Sequence, residues 1–366
     1  MINLNILLKI MVQNNASDLH LRGDAPVYLR INGKLVSIKD STLSSSQINE
    51  MMSPFMNERL KKLFDENHEA DFSYQLENIG RFRLNYYMQK GKPAVAIRHM
   101  PFNIPTFEQL RLPSEPLKKL LSNDRGLILV TGVTGSGKSS TLASMIEYIN
   151  NLWESHIITI EDPIEFVFSD KRSIISQREI GADTNSFVDA LRVALRQDPD
   201  VIMVGEMRDL ETTKAAITAA ETGHLVMSTM HTLNAVQTIS RIIDLYPPHQ
   251  QTQIRLQLSE TLRGIISQRL LASSKGGRIV AVEIMINTPH IKKLIAENNL
   301  DGVYQAISKG GYYGMQTFNQ SLINIYRSNL ASLEDVVSAA SNPDDVLLAV
   351  KGIEQDTQTP GIDIEK

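Results

Sequence analysis

The sequence predicts an α/β protein: a small N-terminal α/β module, then a parallel-sheet nucleotide-binding domain with C-terminal helices. Three observations predict it. From about residue 117, short apolar runs alternate with helical patterns, the arrangement of a parallel sheet. A phosphate-loop signature follows the first of those runs. The first hundred or so residues instead carry alternating strand patterns and a hairpin signal.

Taken in order, MINLNILLKIMVQNN has apolar residues at helical spacing and predicts an amphipathic helix ending near Asn14-Asn15. Its apolar run is broken by Asn and Lys and lacks the continuous core of a signal peptide. Strand patterns follow at Asp18–Leu21 and Val27–Ile31, and Asn32-Gly33 signals a two-residue turn into Lys34–Val36. A helical region is expected from Ser46 to Phe64, then strands at Arg81–Met88 and Ala94–His99. Pro101, Pro105, Pro113 and Pro116 mark an interdomain linker over 101–116. The sheet domain should span 117–288. Its strands are Leu127–Val130, Ile157–Ile160, Val201–Val204 and Leu225–Ser228, nearly all apolar, as in strands covered on both faces. Helices are expected at Ser140–Ile149, Ser186–Arg196, Leu210–Thr222 and Ala235–Leu245. Residues 289–354 read as helical, and 355–366, polar with Pro360-Gly361, as a disordered tail.

Composition narrows the function classes. The 366 residues can bury a sizeable core. A net charge of −4 argues against a generally basic nucleic-acid binder. With 0 cysteines, disulfides, thiolate zinc sites, iron–sulfur clusters and a cysteine nucleophile are excluded. No stretch is long and apolar enough to span a bilayer. The expected location is therefore the cytoplasm, with membrane association at its inner face through a partner.

The chemistry starts at Gly132-Val133-Thr134-Gly135-Ser136-Gly137-Lys138-Ser139, which matches G-x-x-x-x-G-K-[ST] between a strand and a helix. Its glycines let backbone N–H groups turn inward, and the next helix's N-terminus completes an anion cradle. Lys138 offers a point charge to the β- and γ-phosphates of ATP, the Ser139 hydroxyl can hold Mg²⁺, and Ser140 opens the helix. Parallel sheets bind ligands at their strands' carboxyl ends. That selects Glu161, Asp162 and Glu165 after one strand, Glu206 after another and His231 after a third. Two acids are wanted, one on the metal side and one to orient the attacking water. Asp200 precedes its strand, so Glu206 is preferred on the metal side. The residues alone leave Glu161, Asp162 and Glu165 open for the other role. His231 is a candidate γ-phosphate contact, whereas His224 opens the same strand at its far end and reads as structural.

Together these residues resemble the secretion-superfamily ATPases that drive type IV pili and type II secretion. GVTGSGKS resembles their Walker A loop, ITIEDPIE their aspartate box, DPDVIMVGEMRD their atypical Walker B and TGHLVMSTMHT their histidine box. SDLHL and RFRLNYY resemble the family's N-terminal PAS-like domain, so the likeness covers nearly the whole chain. It implies a PAS-like domain over 1–100 and a RecA-like ATPase core over 117–288. Extension and export ATPases usually add a further N-terminal domain and a four-cysteine zinc element. This chain starts at the PAS-like segment and has 0 cysteines, which fits the shorter retraction ATPases of the PilT and PilU type. Asn103–Leu110 and Gly314–Phe318 also resemble that pair. PilT carries a helix motif close to AIRNLIRE, and His290–Glu297 here matches it in part, so both subtypes stay open.

The resemblance assigns Glu165 as general base, Glu206 as the Walker B acid near Mg²⁺ and His231 as the γ-phosphate sensor. It makes Arg81, Arg83 and Arg98 candidates to reach a neighbouring subunit's nucleotide, against the plain alternative of a charged surface strand. It further implies a homohexamer, an inner-membrane pilus platform protein as partner and, for a PilU-like chain, a sister retraction ATPase. Two rivals are a nucleic-acid-stimulated RecA-like motor and a non-hydrolysing ring subunit. The charge of −4 opposes the first, and intact Lys138, Glu165 and Glu206 oppose the second.

Overall fold

The computed structural model describes residues 3–31, 33–77, 79–100 and 104–351. The chain forms two compact units, residues 1–104 with 163–168, and residues 105–162 with 169–366.

The first unit contains α1 (Leu4–Gln13), β1 (Asp18–Arg22), β2 (Tyr28–Ile31), β3 (Lys34–Ser37), α2 (Ser45–Met52), α3 (Glu58–Asn67), β4 (Glu69–Leu76), β5 (Gly80–Gln89) and β6 (Lys92–Met100). Its strands form one antiparallel sheet in the order β3-β2-β1-β6-β5-β4. Leu4, Leu7, Leu8 and Met11 make one buried stripe on α1, as their spacing requires. They share a core with Leu19, Leu21, Ile48, Phe82, Leu84 and Ile97. In β5 the buried Phe82, Leu84 and Tyr86 alternate with Arg81, Arg83 and Asn85. The expected turn residue Asn32 lies outside the described residues, as does the tail 355–366; Gly33 has φ 81°.

The helical region expected from Ser46 to Phe64 consists of two helices, α2 and α3. Pro54, which has no N–H to donate, sits in a 3₁₀ turn at Ser53–Phe55 that ends the first. Asn57 then starts α3 by accepting the Leu60 N–H at 2.9 Å. Strand β4 was not expected, because EADFSYQL alternates weakly and lies at a sheet edge.

The second unit contains α4 (Ser114–Leu121), β7 (Gly126–Thr131), α5 (Lys138–Leu152), β8 (His156–Glu161), β9 (Ile174–Glu179), α6 (Phe187–Ala194), β10 (Val201–Val204), α7 (Leu210–Glu221), β11 (Leu225–Met230), α8 (Ala235–Asp244) and α9 (Pro248–Thr261). It continues with β12 (Leu262–Ala272), β13 (Arg278–Ile286), α10 (Pro289–Ala296), α11 (Leu300–Lys309), α12 (Phe318–Arg327), α13 (Leu333–Ala339) and α14 (Pro343–Val350). Of the expected linker, 101–103 lie outside the described residues, and its end is already helical from Ser114. The sheet order is β13-β12-β7-β11-β10-β8-β9. Among the described residues six of its strands run parallel, and β13 pairs antiparallel at the edge. Strands β7, β10 and β11 are buried at every position, and helices cover both faces. The β12–β13 hairpin extends past the other strands, where Leu271, Ile279 and Ala281 pack on Phe318, Leu322, Val336 and Val346 of α12–α14.

Asp18 ties β1 to β6. Burial pushes its carboxyl up, but hydrogen bonds from Arg98 Nε and Ser17 Oγ, each 2.8 Å, outweigh that and hold it below its usual 3.8. A carboxyl with a depressed folded-state pKa contributes stability above the unfolded value, and that contribution is lost as pH falls through the folded one. The first unit should therefore weaken as pH drops below 3.8, and Asp18→Asn should remove that part of the acid dependence. Hydrogen exchange of the β1 and β6 amides across this range measures it; an unchanged acid slope in the variant contradicts it.

Candidate active site

Strand register places the site. Ile160 of β8 is level with Val204 of β10, Val204 with Ser228 of β11, and Ser228 with Leu129 of β7. All four strands are parallel, so the turns that follow leave one edge of the sheet. Those turns carry Gly132–Lys138, Glu206 and His231.

The loop after β7 bends on three glycines in the left-handed region: Gly132 (φ 144°), Gly135 (79°) and Gly137 (93°). Gly137 is the N-cap of α5, whose first residues are Lys138, Ser139 and Ser140. Val133 is 54% exposed at the crest, while Ser136 and Lys138 are buried. The Lys138 ammonium donates to Gly132 O (2.8 Å) and Val133 O (3.0 Å), which anchors the lysine across the loop mouth. Ser136 Oγ is buried with no hydrogen-bond partner among the described residues, an unsatisfied group inside the loop.

Behind the loop stands a polar wall from β12. Thr131 Oγ1 donates to Ser267 Oγ (2.9 Å), and Gln268 Nε2 donates to Thr141 Oγ1 on α5 (2.7 Å). Neither Ser267 nor Gln268 was expected in the site. The Gly276-Gly277 pair between two apolar runs was the signal for this hairpin.

The acids separate by environment. Glu161 is 7% exposed and accepts from Thr159 Oγ1 (2.6 Å) and Gln177 Nε2 (3.1 Å), the contacts of a structural carboxylate. Asp162 is exposed. Glu165 is also exposed, on the segment Pro163–Phe168 that belongs to the first unit. Glu206 has a side chain only 13% exposed, with one oxygen on Arg208 Nε and the other 3.2 Å from His231 Nε2. With Nε2 protonated, His231 donates to it. Arg208 was not singled out from the sequence, although it stands two residues after Glu206. At the opposite edge, Asp200 Oδ2 accepts the His156 N–H at 2.8 Å, and His224 Nδ1 lies 3.0 Å from Ala219 O. Both serve the fold there.

The arginine candidates lie in the first unit. Arg83 Nε contacts both oxygens of Asp71 at 3.1 Å, and Arg98 Nε donates to Asp18 Oδ1 at 2.8 Å. Arg81 lies beside Arg83 on β5.

The profile of the type II/IV secretion system protein family matches residues 1–336. The chain belongs to this family. It is similar to the type IV pilus retraction ATPase PilT of Pseudomonas aeruginosa, with 44% identity over 92% of this chain and 98% of that protein. It is also similar to the type IV pilus ATPase PilU of the same organism, with 39% identity over 98% of this chain and 96% of that one. The crystal structure of the pilus retraction motor PilT with bound ADP superposes with a TM-score of 0.89 at 47% identity, covering 94% and 99% of the two chains. Like those relatives, this member of the family is a nucleotide-binding ATPase.

The loop geometry yields an ordered prediction. A Cβ at Gly132 would lie 2.5 Å from Gln268 O and 2.6 Å from Ser136 Oγ, whereas one at Gly137 would meet open space. Gly132→Ala should cost roughly 2 kcal/mol or more, from clash plus positive φ, and Gly137→Ala about 1 kcal/mol from φ alone. Thermal unfolding and titration with fluorescent ADP should rank the parent first, then G137A, then G132A. Equal binding by the parent and G132A contradicts the loop description.

Proposed function

We propose that this ATPase is a hexameric motor that powers type IV pilus retraction, acting from the cytoplasmic face on an inner-membrane platform protein. The observation that carries the proposal is the Lys138 loop sharing one sheet edge with the Glu206–His231 pair, in a chain similar to PilT over 98% of that protein's length. Among the described residues no helix is long and apolar enough to cross a membrane, which fits a motor that docks on a membrane partner.

In this reading ATP lies with its phosphates over the loop, held by inward N–H groups, the α5 N-terminus and Lys138. The partnerless Ser136 Oγ supports an anion there. Mg²⁺ would be held by Ser139 and Glu206. When bound, it neutralises charge on the β- and γ-phosphates. Glu165 orients a water for in-line attack on the γ-phosphate and takes its proton. His231 hydrogen-bonds the γ-phosphate and, through Glu206, registers its loss. Arg81, Arg83 and Arg98 are assigned to transition-state charge on the nucleotide of a neighbouring copy.

Lys138→Ala should abolish phosphate release, and Glu165→Gln should lower kcat by about 10²–10⁴-fold while ATP still binds. Cells carrying either variant should assemble fibres but fail to retract them. Retraction at parental rates by the Lys138 variant would sink the proposal. Arg83→Ala and Arg98→Ala should lower kcat by 10²-fold or more on an order-of-magnitude scale, and activity per chain should fall on dilution below hexamer assembly. A dilute monomer with full turnover rules out action between copies.

A further inference from the structure

Glu283 has no part in the chemistry above, yet it is a carboxylate in the core of the ATPase unit. It lies on β13, 3% exposed, paired across the strands with Ser267. Burial pushes its carboxyl up from the usual range, offset in part by the Ala235 N–H and by Arg269. Keeping an acid in such surroundings is unfavourable unless its hydrogen bonds do something a hydrophobic residue cannot.

Its partner gives the reason. Glu283 Oε1 accepts the backbone N–H of Ala235 at 2.8 Å, the first residue of α8. A helix's first four N–H groups have no partner within the helix. Asn234 Oδ1 takes the Gln237 N–H at 2.8 Å, and Glu283 takes that of Ala235. The residues between Ala235 and His231 are held as well. Thr232 Oγ1 bonds Thr238 Oγ1 (2.6 Å), Leu233 N–H donates to Gln237 Oε1 (3.3 Å), and Thr238 Oγ1 donates to Asn234 O (2.7 Å). The whole turn that presents His231 is thus fastened to the start of α8. Glu283 is the group that fastens α8 from the sheet beneath.

We infer that Glu283 is a positioning residue for the nucleotide site: through the Ala235 N–H it holds the start of α8, and with it the turn that aims His231 at Glu206 and the γ-phosphate. This rests on the role proposed for His231. No direct contact of Glu283 with nucleotide is required.

The test uses the full chain with ATP and Mg²⁺, following phosphate release. Glu283→Gln keeps an acceptor oxygen at the same place and should keep kcat within about twofold of the parent. Glu283→Leu leaves the Ala235 N–H unpaired in the core and should lower kcat about tenfold, with KM for ATP within about twofold and one fluorescent ADP still bound per chain. His231→Ala combined with Glu283→Leu should lose no more than His231→Ala alone, because both act through one side chain. Parental kcat in E283L, equal losses in E283Q and E283L, multiplied losses in the double variant, or a fall in ADP stoichiometry would each overturn the inference. Full activity in His231→Ala alone would overturn the role of His231 and this inference with it, which separates the two failures.

Discussion

The shared register of the central parallel strands is the constraint on which the site depends. Ile160, Val204, Ser228 and Leu129 stand in one row across the sheet, and strands in a sheet are spaced by about 4.8 Å. A row of four therefore spans about 15 Å, the scale of a nucleotide. Shifting one strand by one residue would turn its apolar side chains to the other face and move its terminal turn. Close packing on both sides opposes that shift: β7, β10 and β11 are buried at every position, so each displaced side chain would have to fit a space shaped for another. The hydrophobic core thus sets the relative placement of Lys138, Glu206 and His231, although none of those side chains contributes to it.

At that edge the polar groups have graded freedom. Glu161 is committed to Thr159 and Gln177, so it serves the fold. Glu206 is held by two exposed partners, Arg208 and His231, either of which can turn toward a ligand. Lys138 rests on carbonyls of its own loop. A phosphate is a stronger partner for an ammonium than a neutral carbonyl is, so a phosphate reaching Lys138 would compete with weak internal bonds. Beneath this layer, Thr131, Ser267, Gln268, Thr141 and Glu283 form a buried support in which each hydrogen bond joins different elements. Supports of this kind limit how far the side chains above them can drift.

How much of this was legible depended on the range of the interaction. The phosphate loop was readable because its requirements are local: glycines with positive φ, a lysine at a helix start and an apolar strand before it. The buried strands were readable because a strand covered on both faces is apolar at every position. Strands β4 and β9 sit at sheet edges with mixed side chains, and β12 hides Ser267, Gln268 and Arg269 inside an apolar run. Pairing with neighbours made them strands. Pro54 was visible in the sequence, and its missing N–H accounts for the break between α2 and α3.

The α/β class, the glycine-rich loop ahead of α5 and the placing of acids and a histidine after the strands were readable from the chain alone, since each follows from patterns a few residues long. Folding alone reveals that Glu161 is engaged while Glu206 pairs with His231, and that β12 and β13 bring Gln268 and Glu283 behind the site. Thr159 is two residues from Glu161, but the other partners lie 16 to 127 residues apart along the chain. Their meeting is a property of strand order and register, which no local pattern encodes.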